Sequence, residues 1–341
     1  MKASATSPEL PVARVADRRT DEVSARRVLR ILATLGALLV LVIIVASAYM
    51  RLSAAGLSCA DWPACYGRFD TAADPSAGVK IARAAHRIAA TGAAAIALAL
   101  VGIALVARPR RSEQIAIAVA ALAVVVGLAV LGIATSKLAP NLPVVPAVTL
   151  ANLLGGFVLL ALIVALRATD AARVAVPAWV RALARVALVV VAIQLVLGGS
   201  TSARFAGLAC PAFPLCGAEV SPGALPALLD PFAPLAVDAA NAVVRAPALA
   251  ALQWAHRVGA HAVLFVAIAL AIGLWRARRR ALAASVLAPV IVELALGASS
   301  IALQLPLPVV LAHNLVAALL LAAIVAVNVV VRVSRASSAQ G

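Results

Sequence analysis

Eight stretches of this chain are each long and apolar enough to cross a bilayer: residues 29–50, 81–107, 114–135, 146–166, 180–200, 252–275, 281–303 and 308–331. A hydrocarbon core of about 30 Å needs roughly 20 residues of helix. Within it, every backbone N–H and C=O must find its partner inside the protein. The runs are mostly Ala, Val and Leu, without the two-residue alternation of a β-barrel strand. The expected fold is therefore an all-α integral membrane protein. Composition agrees, with 65% hydrophobic residues, 12% charged residues and a mean hydropathy of +1.08. A soluble domain would carry about a quarter charged residues.

The net charge of +16 would suggest a nucleic-acid partner in a soluble protein. Here the arginines cluster at span ends and in the N-terminal arm, so they read as topology signals and no nucleic acid is expected. Arg108, Arg110 and Arg111 follow the second span, and Arg167, Arg173 and Arg181 the fourth. Arg276, Arg278, Arg279 and Arg280 follow the sixth, and Arg332 and Arg335 the eighth. The alternate loops carry few basic residues. By the positive-inside rule both termini are cytoplasmic, and the long loops 51–80 and 201–251 face outward. Residues 1–28, with Arg14, Arg18, Arg19, Arg26 and Arg27, are expected to form a disordered basic arm. The arm is too long and charged for a signal peptide, so the first span is read as retained. Residues 334–341 are read as a tail.

The chain also repeats itself. "RLSAAGLSCADWPACYG" after the first span resembles "SARFAGLACPAFPLCGA" after the fifth, and "AAHRIAATGA" resembles "WAHRVGAHAV". Further along, "LGIATSKLAPNLPVV" resembles "LGASSIALQLPLPVV", and "LANLLGGFVLLA" resembles "LAHNLVAALLLA". Four matches in the same order imply two four-helix bundles, over 29–168 and 178–333. Each begins and ends inside, so a pseudo-twofold axis along the membrane normal is expected to relate them.

The chain has four histidines, and three of them occupy equivalent places. His86, His256 and His313 lie about one turn inside the outer ends of the second, sixth and eighth spans. An ionisable side chain at membrane depth marks a functional candidate. His256 and His313 can face each other between apolar walls, as two axial ligands of a haem iron do. The matching place in the fourth span is Asn152 or Ala151, neither of which is an ordinary haem ligand. His261, about 140° around the helix from His256, is expected on another face. Arg87 and Arg257 directly follow two of the histidines, where they can pair with propionates or reach the interface.

Cys59 and Cys65 lie in the first outer loop, Cys210 and Cys216 in the second. On the outer side of a bacterial-type membrane each pair is expected to form a disulfide within its loop. Structural and redox roles both remain open, and zinc is the weaker alternative. Glu293, deep in the seventh span, is either a proton-handling group or a hydrogen-bonded core acid. Trp62, Trp179, Trp254 and Trp275 lie in loops or near span ends, where an aromatic belt would place them.

Together, "GLSCADWPAC", "AGLACPAFPLC", the repeated "AHR" and "LPLPVVLAHNLVAALLL" resemble the heme A synthase family of cytochrome oxidase assembly proteins, over roughly residues 29–333. The resemblance implies an oxidoreductase of the bacterial cytoplasmic membrane that converts haem O to haem A. The porphyrin C8 methyl is oxidised to a formyl by successive hydroxylations. It implies a haem b between His256 and His313, with the N-terminal bundle holding the substrate haem at His86. Haem O synthase and oxidase assembly factors are the implied partners, and a homo-oligomer is left open. In the family pattern a carboxylate stands one turn before the first N-terminal histidine, and a second histidine completes that pair. Here these positions are Arg83 and Asn152 or Ala151. The alternative is a haem b-binding assembly or electron-transfer relative without haem O oxidation. A secondary transporter would instead place paired charges near the midplane.

Overall fold

The structure, a computed structural model, describes residues 11–57, 65–67, 75–107, 111–138, 146–236, 238, 243–244 and 246–333; for 11–23 and 135–138 it describes backbone alone. The helices are α1 (Pro11–Ala54), α2 (Ala77–Val106), α3 (Ser112–Leu138), α4 (Pro146–Ala168), α5 (Ala178–Ala203), α6 (Leu225–Leu229), α7 (Leu249–Arg276), α8 (Arg280–Ala302) and α9 (Leu307–Val330). All of these except the short α6 are long and apolar enough to span a membrane, which makes eight and matches the sequence expectation.

The boundaries follow local chemistry. Ser76 caps α2 by accepting from the Val79 N–H, just ahead of the apolar run. Pro177 and Pro306 stand immediately before α5 and α9, where a missing N–H costs nothing. α1 begins at Pro11, within the basic arm of residues 1–28, whose first ten residues lie outside the described residues. Its Ala, Arg and Glu residues are good helix formers.

α1, α2, α3 and α4 pack in a closed cycle, each against the next and α4 back on α1. α5, α7, α8 and α9 do the same in the same order. The two sets meet through α4 against α5, and through α9 against α1 and α4. Small residues allow the close approach. The buried stripe of α2 is Ala89, Ala93, Ala97, Leu100 and Ala104, spaced at helical period. Larger apolar side chains point outward, among them Leu98, Val130, Ile193 and Phe265, as lipid-facing residues do.

Polar contacts tie the ends. At one end Gln114 donates to Thr169 Oγ1 (2.9 Å) and to Asp170 Oδ1 (3.3 Å), and Arg111 pairs with Asp170 at 3.2 Å. There Arg173 donates to the Val329 carbonyl, and two short strands, β1 (Val174–Val176) and β2 (Val331–Val333), pair in parallel with Val174 opposite Val331. The sequence patterns did not anticipate this pair, because three residues are too few to show a period. At the other end Arg51 donates to Ser202 Oγ. Arg204, just past α5, holds the α6 turn by donating to the carbonyls of Leu228, Asp230 and Ala233. Burial pulls the Arg204 guanidinium below its usual range, and the nearby Asp230 charge partly offsets this.

Candidate functional site

His256 lies seven residues into α7 and His313 six into α9, so both imidazoles sit at similar depth below one end of the bundle. Their ring centroids are 6.4 Å apart and their planes perpendicular. They line a cavity of about 470 Å³. α5, α7, α8 and α9 form most of its wall, with Leu153 and Phe157 added from α4. Most of the wall surface is apolar, with Leu and Val the commonest side chains, and Gln194, Gln253, Arg257, His261, Glu293 and Asn314 add polar groups.

Each imidazole meets a polar side chain of a neighbouring helix, with a glycine one turn further on. On α5, Gln194 Nε2 lies 3.0 Å from His256 Nδ1 and donates to the His256 carbonyl at 3.0 Å. One turn further, Gly198 leaves room for the ring: a Cβ there would be 2.8 Å from His256 Cε1. On α8, Glu293 Oε1 lies 3.1 Å from His313 Nδ1. One turn further, a Cβ at Gly297 would be 3.3 Å from His313 Cε1. Sequence reasoning missed this arrangement. Its signal was present as "QLVLGG" in the fifth span and "ELALGA" in the seventh, each a polar residue with a glycine four residues on.

Gln194 Nε2 faces His256 Nδ1, and Glu293 Oε1 lies near His313 Nδ1 without making a hydrogen bond to it. An imidazole nitrogen binds a metal at about 2.0 Å, so two imidazoles on opposite sides of one iron have centroids roughly 6 Å apart. The observed 6.4 Å fits. Among the described residues no group of three or more His, Cys, Asp or Glu could hold a bare metal ion. Two facing imidazoles at this spacing could hold an iron whose other ligands come from a porphyrin, and the apolar part of the wall would suit the macrocycle.

The other expected residues fall elsewhere. Arg257 lines the cavity, but its guanidinium is engaged by the second cysteine loop. Nη1 donates to the carbonyls of Ala212 (2.7 Å) and Leu215 (2.9 Å), and Nη2 to that of Cys210 (2.8 Å). The ring of Phe213 lies 5.9 Å from its Cζ. The expected Cys210–Cys216 disulfide closes this loop. Cys65 is also disulfide-bonded, while Cys59 and Trp62 lie outside the described residues. His86 is half-buried and Arg87 exposed on α2, and neither lines the cavity. Arg83 and Asn152 are exposed, the Asn152 amide donating to the Val148 carbonyl at 3.2 Å. His261, expected on another face, does line the cavity, with Nδ1 2.8 Å from the Arg257 carbonyl. The cavity is wide enough to take in Gln253, His256, Ala260, His261 and Leu264, which together span an arc of about 140° around α7.

The comparisons with known proteins point the same way as this geometry. The cytochrome oxidase assembly protein family matches residues 30–325. A protein of Shewanella oneidensis named heme A synthase is 30% identical over 312 residues, covering 84% of this chain and 92% of its own length. The eight-span chain with its facing histidines belongs to the heme A synthase family of cytochrome oxidase assembly proteins.

Proposed function

We propose that this protein is a heme A synthase-like oxidoreductase of the bacterial cytoplasmic membrane, oxidising the C8 methyl of haem O to a formyl for cytochrome oxidase assembly. The observation that carries the reading is the His256–His313 pair, 6.4 Å between centroids, facing each other across the cavity. Family membership supports it. Haem b is the group assigned to this pair, and when bound it supplies one-electron transfer. The protein's part is placement. α7 and α9 aim the imidazoles, Gly198 and Gly297 admit the rings, and the apolar wall excludes water. Arg257 holds the Cys210–Cys216 loop beside the cavity. His86 on α2 is assigned to the substrate haem in the N-terminal helix set. The arginine distribution supports cytoplasmic termini, and the sequence repeat supports two bundles related by an axis along the membrane normal. Haem O synthase is the expected supplier of substrate.

A second reading is favoured by one region. Arg83 and Asn152 or Ala151, all exposed, stand where the carboxylate and second histidine are expected near His86. A haem b-binding relative without haem O oxidation would carry such changes. The deciding experiment is expression alongside a haem O source, followed by haem extraction and reversed-phase chromatography. Haem A or its hydroxylated precursor, absent in His86→Ala, is the expected result. Haem b alone, where a working synthase converts haem O, would replace the first reading with the second.

A further inference from the structure

Away from the histidine cavity, a second cleft of about 580 Å³ lies along the first helix, lined by Arg27, Arg30, Ile31, Thr34 and Leu35. On a helix of 3.6 residues per turn these five residues fall within one arc of about 140°. Arg167, in the last turn of α4, reaches the same face. Its Nε donates to Thr34 Oγ1 at 2.9 Å, and that hydroxyl donates to the Arg30 carbonyl at 2.8 Å. Two other arginines at this end are neutralised, Arg111 by Asp170 at 3.2 Å and Arg173 by Glu113 at 3.8 Å. Among the described residues no carboxylate pairs with Arg27, Arg30 or Arg167. The charged end passes directly into an apolar lane. Ile31, Leu35, Leu38 and Val42 follow one another at helical spacing on this face, and all four are exposed. From Arg30 to Val42 the helix rises about 18 Å, close to the roughly 15 Å of hydrocarbon in one leaflet. A free anion would satisfy the arginines alone. A ligand that is anionic at one end and apolar along its length satisfies both parts of the face.

We propose that this α1–α4 seam is a binding site for an anionic phospholipid, its phosphate held by Arg27, Arg30 and Arg167 and one acyl chain lying along Ile31, Leu35, Leu38 and Val42. The planar guanidinium fork takes two phosphate oxygens at once, which suits it to a lipid headgroup. The positive-inside rule assigns this end to the cytoplasmic leaflet, whose surface is negative. α4 packs against both α1 and α5, so a lipid seated here fastens α1 to the helix that joins the two sets. The site shares no residue with the histidine cavity and does not rest on the haem reading.

The test uses full-length protein, delipidated in detergent and titrated with phosphatidylglycerol or with phosphatidylcholine of the same chains. Native mass spectrometry counts the bound lipid. Wild type is expected to bind one phosphatidylglycerol about tenfold or more tightly than phosphatidylcholine. Arg27→Gln combined with Arg30→Gln is expected to weaken phosphatidylglycerol about 25-fold, or about fivefold for each charge removed. Its phosphatidylcholine binding is expected to stay unchanged. Arg276→Gln combined with Arg279→Gln, two exposed arginines at the same end beside α7 and α8, is the control and is expected to keep the wild-type affinity. Phosphatidylglycerol is also expected to raise the Tm of wild type and control more than that of the Arg27 and Arg30 variant. Inorganic phosphate in large excess is expected to leave the lipid in place, because it cannot fill the apolar lane. Equal affinity of wild type for the two lipids, or equal losses in the two double variants, overturns the proposal. Displacement of the lipid by inorganic phosphate overturns it as well, in favour of a site for a free anion.

Discussion

The helix set α1–α4 and the set α5, α7, α8 and α9 are packed in the same order, and their sequences run in parallel. Aligning "LGIATS" with "LGASSI" sets Leu128 against Glu293 and Gly132 against Gly297. Aligning the two "AGL" turns sets Ile43 against Gln194 and Ser47 against Gly198. In the second set these positions brace and admit two imidazoles. In the first they do neither: Leu128 packs on Gly155, and a Cβ at Gly132 would touch nothing within 4 Å. A four-helix frame with a histidine near one end is therefore not by itself a haem site. The second set adds a facing histidine, a polar side chain for each Nδ1 and a glycine one turn further on. Sites of this kind depend on their supporting residues nearly as much as on the ligands.

Removing the ligands should break the contrast most visibly. His256→Ala and His313→Ala should each abolish the six-coordinate low-spin haem spectrum of the purified protein, while His86→Ala leaves it intact and removes haem O conversion. A wild-type spectrum in either of the first two variants would end the assignment. Next in size is the glycine comparison. Gly198→Ala forces a methyl against His256 and should lower thermal stability by about 1–3 kcal/mol, with loss of haem. Gly297→Ala should do so less, because its neighbour is further away, and Gly132→Ala should be near neutral. Equal effects at Gly297 and Gly132 would deny the second set its special packing.

The smallest contrast concerns the two arginines that follow the histidines. Arg257→Ala leaves the carbonyls of the cysteine loop without their charged donor. It should cost about 2–3 kcal/mol and make Cys210–Cys216 easier to reduce by thiols, measured by alkylation and mass shift. Arg87→Ala, on an exposed position, should stay within about 0.5 kcal/mol of wild type. Comparable thiol sensitivity in both variants would remove Arg257 from its role as the loop's anchor.

Much of the site is legible in the sequence. His256 and His313 stand out because an ionisable ring in an apolar span is costly, and their shared repeat position places them at one depth. Gln194 and Glu293 are harder to read. Glu293 shows as a buried acid, but its partner lies on the next span, outside any local pattern, and a lone glutamine in a span carries no signal. Arg257 looks available for a propionate, since nothing in "AHR" reveals that a loop more than forty residues earlier folds back to accept its protons. Helical geometry alone assigns His261 to another face, and it says nothing about how wide a cavity is.

The sequence by itself determined the solvent of this protein, its eight spans and its internal repeat. These follow from hydrophobic length and from residue order, which are properties of single segments. Only the tertiary structure decided that two of the histidines meet at 6.4 Å, that one faces the Gln194 amide and the other the Glu293 side chain, and that Arg257 holds a loop. Those outcomes depend on the rotation of each helix about its axis and on the distance to its neighbour. Packing of small residues across helix faces sets both, and no single segment encodes that packing.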